Sequence, residues 1–173
     1  MTSILKVDNI KDSANNQAIS ISSGVATFAN TPINAGGGKV LQVVQAVSST
    51  YQATTSTSFV NYSHTNATIT PSSTSSKILV LSTHNTEIYQ NSSQDAQGRF
   101  VIYRDGSAIS AENYIRHYDY GGSGHLGVTN TVINFLDSPN STSEESYQLY
   151  MKYVSGDSTA IIFGSITLME IAE

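Results

Sequence analysis

The stretch YQLYMKYV, Tyr147 to Val154, places Tyr147, Leu149, Met151 and Tyr153 at every second position, with Gln148, Tyr150 and Lys152 between them. A period of two sends alternate residues to opposite faces of a strand, so four large side chains share one face and the other face is wetter. Strand-like runs recur at Val40 to Val47 (VLQVVQAV), Lys77 to His84 (KILVLSTH), Arg99 to Arg104 (RFVIYR), Val128 to Leu136 (VTNTVINFL) and Ala160 to Ile171 (AIIFGSITLMEI). Two shorter candidates are Ser58 to His64 and Ala67 to Thr70. These runs are rich in β-branched and aromatic residues, and most end at clusters of Gly, Pro, Asn, Asp or Ser. About eight strands after residue 38, at this spacing, predict an all-β antiparallel sandwich. Apolar residues nowhere recur at i, i+3, i+4 and i+7 over a dozen positions, which predicts very little helix. Asp105-Gly106 suits a type I′ hairpin turn, in which both central residues take positive φ, and the flanking strands should pair.

Disorder is excluded for most of the chain by what it has to bury: 39% hydrophobic residues, including 10 Tyr and 5 Phe. Charged residues make up 12%, about half the usual share of roughly 25%, and Ser, Thr, Asn and Gln take their place. A net charge of −5, with 8 Lys and Arg and no basic run, argues against a nucleic-acid partner. Without Cys there are no disulfides or thiolate metal sites, so packing and assembly must supply stability. Met1 to Ile10 lacks the pattern of a secretory signal, and no segment approaches 18 apolar residues, so neither export by a standard signal nor membrane insertion is expected.

The organisation divides at Ala35 to Lys39 (AGGGK), a Gly-rich hinge. The expected units are residues 1–34 as an N-terminal arm, 35–39 as the hinge and 40–173 as the β-sandwich head. A segment of about 34 residues is too small to fold alone without metal, disulfides or partners. It should be ordered by docking on copies of itself or on another protein. Gln17 to Phe28 reads as two short strands around Ser22-Ser23-Gly24.

Catalytic signatures are weak. Gly122 to Gly127 (GSGHLG) matches the dinucleotide fingerprint by letter only, because a β-rich run follows instead of a helix. His117, Asp119 and His125 are better read as polar loop residues than as a cation site, so no metal or other cofactor is expected. No Ser stands in a Gly-x-Ser-x-Gly elbow, and no carboxylate pair suggests glycoside cleavage. The expected protein is not an enzyme. The segment Glu112 to His125 (ENYIRHYDYGGSGH) gathers Tyr114, Arg116, His117, Tyr118, Asp119 and Tyr120. Aromatic residues with Arg are enriched where proteins meet partners, and Tyr suits sugar rings, which makes these residues candidates for receptor, glycan or subunit contact. The alternation Tyr114, Arg116, Tyr118 is equally that of an ordinary strand.

The opening ILKVDNIKDSANN, with AISISSGVATFANTP after it, resembles the N-terminal segment of structural proteins from phages of marine bacteria and cyanobacteria. The body, from GGGKVLQVVQAV through SFVNYSHTNATITPSSTSSKILVLS and FVIYRDGSAI to SITLMEIA, is similar to the C-terminal head of phage fibre-like virion proteins. The resemblance implies a jelly-roll of the tumour-necrosis-factor or C1q-like kind, a homotrimer, and a fibre or capsid-decoration subunit in the virion, assembled in the host cytoplasm. It implies attachment to other virion proteins through the arm, where Ile4, Leu5, Val7 and Ile10 are the anchoring candidates, and possible adhesion to a host surface glycan or protein. It also suggests Tyr147, Tyr150, Tyr153 and Phe163 as trimer contacts, although buried aromatics serve a subunit's own core as readily. The alternatives are a cement protein without receptor binding, a glycan-degrading tail enzyme and a free lectin.

Overall fold

The computed structural model describes residues 38–91, 95–118 and 124–172, together with the backbone of 9–11, 17–22 and 25–28; His125 is described by its backbone alone. Among these residues there are fourteen strands and no helix. The chain divides into two compact units, Met1–Gly38 and Lys39–Glu173.

In the first unit β1 (Asn9–Lys11), β2 (Gln17–Ser22) and β3 (Val25–Phe28) form a three-stranded antiparallel sheet in the order β1-β2-β3. Ile19 is the partner of Ile10 on one side and of Phe28 on the other. The two strands expected within Gln17 to Phe28 are there, and β1 adds a third. Ile10 lies in β1, whereas Ile4, Leu5 and Val7 are outside the described residues.

The second unit holds β4 (Val40–Ser48), β5 (Gln52–Thr54), β6 (Val60–Asn61), β7 (Ala67–Ile69), β8 (Lys77–Gln90), β9 (Asp95–Arg104), β10 (Ser107–Ala108), β11 (Asn113–Tyr118), β12 (His125–Asp137), β13 (Glu145–Ser155) and β14 (Ser158–Ile171). One sheet runs β12-β8-β14-β4, with β5 also on β14. The other runs β10-β9-β13-β6, with β11 on β9 and β7 on β13. The pairing is nested: β4 with β14, β7 with β13, β8 with β12 and β9 with β11, all antiparallel. First pairs with last down to an inner hairpin, as if one long hairpin were wound across two sheets. That is the connectivity of a jelly-roll sandwich.

Alternation builds the core. Tyr147, Leu149 and Met151 from β13 and Phe100 and Ile102 from β9 meet Ile78 and Val80 from β8 and Ile166 and Leu168 from β14. Each fully buried large side chain contributes about 1.5–3 kcal/mol. Gln148, Tyr150 and Lys152 stand on the half-buried opposite face of β13, as its period requires. Asp105 and Gly106 have φ of 48° and 81°, and Arg104 pairs with Ser107, so the expected tight turn forms.

The structure departs from expectation in two ways. Among the described residues eleven strands follow residue 38 instead of about eight, in part because β5 and β10 are too short for periodicity to reveal. The run Ser58 to His64 contributes only Val60–Asn61, since Tyr62 leaves the strand to fill the core. Asn113–Tyr118 is a strand, as the alternation of Tyr114, Arg116 and Tyr118 allowed.

Candidate functional site

Among the described residues β11 is an edge strand paired with β9, and this pairing fixes its faces. Tyr114, Arg116 and Tyr118 point outward and Ile115 points into the core. His117 shares the inward parity of Ile115, and a Cβ added at Gly127 of β12 would lie 3.2 Å from its Cβ. Tyr114 is 65% exposed. Arg116 grips Asp95 with two bonds, Nε to Oδ1 at 2.7 Å and Nη2 to Oδ2 at 3.2 Å. The hydrogen bonds it donates to Asp95 hold the guanidinium above its ordinary range. Three of the six sequence candidates therefore share a surface and His117 does not. Asp119 and Tyr120 lie outside the described residues.

Between the edges β11 and β12 runs a groove of about 570 Å³, lined by residues 113–116 and 129–132. Its walls are braced by side chains. Asn113 Nδ2 donates to the Val132 carbonyl at 2.8 Å, Asn85 Nδ2 to Asn130 Oδ1 at 3.1 Å, and the Thr86 and Thr131 hydroxyls meet at 2.9 Å. Sequence reasoning named only Tyr114 and Arg116 here. The available signal was the polar filling Thr129-Asn130-Thr131 in the middle of an otherwise apolar strand.

The outer faces of the two sheets differ in kind. On the β12-β8-β14-β4 sheet the register aligns Leu136, Leu79, Met169 and Val43 in one row across all four strands. A second row aligns Val132, Thr83, Ser165 and Val47. Val47 is 69% exposed, Leu136 56% and Phe163 51%. No charged side chain stands in either row. The other sheet instead carries Arg99 and Lys152 around Glu112, at 2.8 and 3.3 Å, beside the Arg116–Asp95 pair.

The suggested trimer contacts are not brought together. Tyr147 is corrected: it is 0% exposed, inside the head's own core, with its hydroxyl on Asp137 Oδ2 at 2.7 Å. Tyr150 stacks on Tyr103 at 3.9 Å on the outside of the charged sheet. Tyr153 ends the inner row of β13 and bonds the Gly156 carbonyl at 2.8 Å. Phe163 alone stands on the apolar face.

The titratable groups inside the sandwich are held for structure. His84 is fully buried, with Nε2 3.0 Å from the Thr65 hydroxyl and Nδ1 3.0 Å from the Ser82 hydroxyl, and burial lowers its pKa to about 4. Burial would raise the Glu170 carboxyl, but hydrogen bonds from Ser72, Ser76 and Gln42 hold it down to about 2. Asp137 and Glu145 are joined through Arg104, at 2.5 and 3.3 Å, which occupies the space between them. Burial, together with Asp105, pushes the Glu145 carboxyl up. Among the described residues no group of three His, Asp or Glu converges as a metal site.

Fold and surface together define a jelly-roll module with two unlike outer faces, one suited to burial against protein and one suited to water. No family model matches the chain, and no curated protein matches it. Solved structures similar to it include Eiger TNF from S. frugiperda, at 9% identity and TM-score 0.41 over 78% of this chain and 95% of that one. They also include the infectious bursal disease virus Gx strain, at 16% identity and TM-score 0.36 over 88% of this chain and 36% of that one. A third is dimeric latent PorU from Porphyromonas gingivalis, at 9% identity and TM-score 0.33 over 92% of this chain and 15% of that one. The fold assignment rests on the nested strand pairing itself.

Proposed function

We propose that this chain is a non-enzymatic structural subunit of a bacteriophage particle, a trimeric fibre or surface-decoration protein that displays its jelly-roll head. The observation that carries the reading is the apolar outer face of the β12-β8-β14-β4 sheet. Exposed Val47, Leu136 and Phe163 beside the Leu136-Leu79-Met169-Val43 row suit a protein contact, because a monomer would leave them in water. Identical copies are the partners that fit, since neither of the two aligned rows on this face carries a charge and the opposite face carries ion pairs. The number three comes from the resemblance of the sequence to trimeric fibre heads. In this reading residues 1–34 attach the subunit to other virion proteins, residues 35–39 let the head orient, and the outward face of β11 is turned toward a host surface.

Trimerisation gives such a head avidity when its geometry allows several weak contacts at once. Mass spectrometry of gradient-purified phage particles tests the assignment. Peptides of this chain should band with the intact particle, and their recovery only in the soluble lysate fraction would contradict it.

A further inference from the structure

We propose that the groove between β11 and β12 is a binding site for a neutral glycan of two or three sugar units. Four observations converge on that ligand class. The volume of about 570 Å³ falls in the range of small-molecule sites. The polar side chains that face the gap are the Asn113 amide and the Thr129 hydroxyl, neutral groups of the kind that match the donors and acceptors of sugar hydroxyls. Tyr114, 65% exposed at the rim, offers a ring face to the C–H side of a pyranose and a phenol to its hydroxyls. The single cation in the lining, Arg116, is already neutralised by Asp95, so the site has donors to offer without net charge to attract an acid.

The same bonds that brace the walls make the site rigid. Asn113 ties β11 to the Val132 carbonyl, Asn85 holds Asn130, and Thr86 holds Thr131. Groups fixed before the ligand arrives lose little freedom on binding, which is what a weak, shallow glycan site needs. Two strand edges also offer a peptide somewhere to pair, but the Asn113 amide crosses this gap and already occupies the Val132 carbonyl.

The proposal deepens the displayed-head reading and takes its biological meaning from it. Binding by the purified full chain does not depend on particle location, so either claim can fail without the other. The chain, labelled with nitrogen-15, is titrated with trisaccharides of glucose, galactose, mannose and N-acetylglucosamine up to about 10 mM, which detects millimolar affinity. At least one should shift the amides of residues 113–116 and 129–132 in a saturable way. Tyr114→Ala, which removes an exposed ring, should weaken that binding about tenfold or more while leaving the spectrum of the core unchanged. Thr129→Val, on the opposite wall, should weaken it similarly. The proposal is overturned if no neutral trisaccharide shifts the groove, if a sialylated or sulfated trisaccharide binds as well as the neutral ones, or if only an extended peptide occupies it.

Discussion

Two residues show how tightly the interior is specified. Gly164 faces His84 so closely that an added Cβ would sit 2.2 Å from the imidazole Cδ2. Neither ring nor backbone has room to yield, because the ring is fixed by Thr65 and Ser82. Gly164→Ala should cost about 2 kcal/mol or more, within the usual range for overpacking. Urea unfolding checks this, and an unchanged midpoint would show that the ring can move.

The ring also sets a pH response. The unfolded imidazole binds a proton near 6.5, whereas the folded one resists until about 4, so between those values the unfolded chain holds more protons. Stability is therefore full above 6.5 and falls as pH falls toward 4, by about 3 kcal/mol at most. Glu170 acts lower down. Its carboxyl is held from 4.5 down to about 2, so its contribution is present above 4.5 and is lost as pH falls toward 2. Urea midpoints measured across this range should decline in two stages, and His84→Gln should remove the upper one. A flat profile between pH 6.5 and 4 would contradict the account of His84.

At the scale of elements, the β9–β10 turn was legible because two adjacent residues dictate it. Gly106 sits at φ 81° with open space around the missing Cβ, so Gly106→Ala meets only backbone strain. The expected loss is about 1–2 kcal/mol, read from thermal unfolding, and a neutral result would mean that the turn changes type. Long strands with several apolar alternations, such as β8, β13 and β14, were equally legible. β5 and β10, of three and two residues, carry no readable period; they exist because a neighbouring long strand offers an edge. β11 was open to two readings because Tyr and Arg suit both a recognition loop and a strand face. Its six-residue pairing with β9 makes it a strand, and its outward face still presents Tyr114, Arg116 and Tyr118.

The candidate site was half legible, and the reason lies in what a pattern along the chain cannot carry. Tyr114 and Arg116 stood out by residue type. Their partners in the groove, Thr129 to Val132, come from another sheet and only the nested pairing brings them near. The division among the suggested trimer contacts has the same cause. Tyr147 and Phe163 are both aromatic residues on long strands, yet the first faces inward and the second outward, and parity relative to the core is settled only when both sheets are in place.

For the whole molecule, the contrast between the two outer faces is the central fact. One sheet presents charge pairs around Glu112 and Asp95; the other presents Leu136, Leu79, Met169 and Val43 in line with no charge among them. An assembly that hides the second face and leaves the first in water accounts for both. The most direct test is the solution mass of the full chain at micromolar concentration, by sedimentation equilibrium, alongside Leu136→Asp and Val43→Asp. The account predicts three times 18.5 kDa for the wild type and a shift toward the single-chain mass in each variant. A stable wild-type monomer, or variants that assemble as the wild type does, would contradict it.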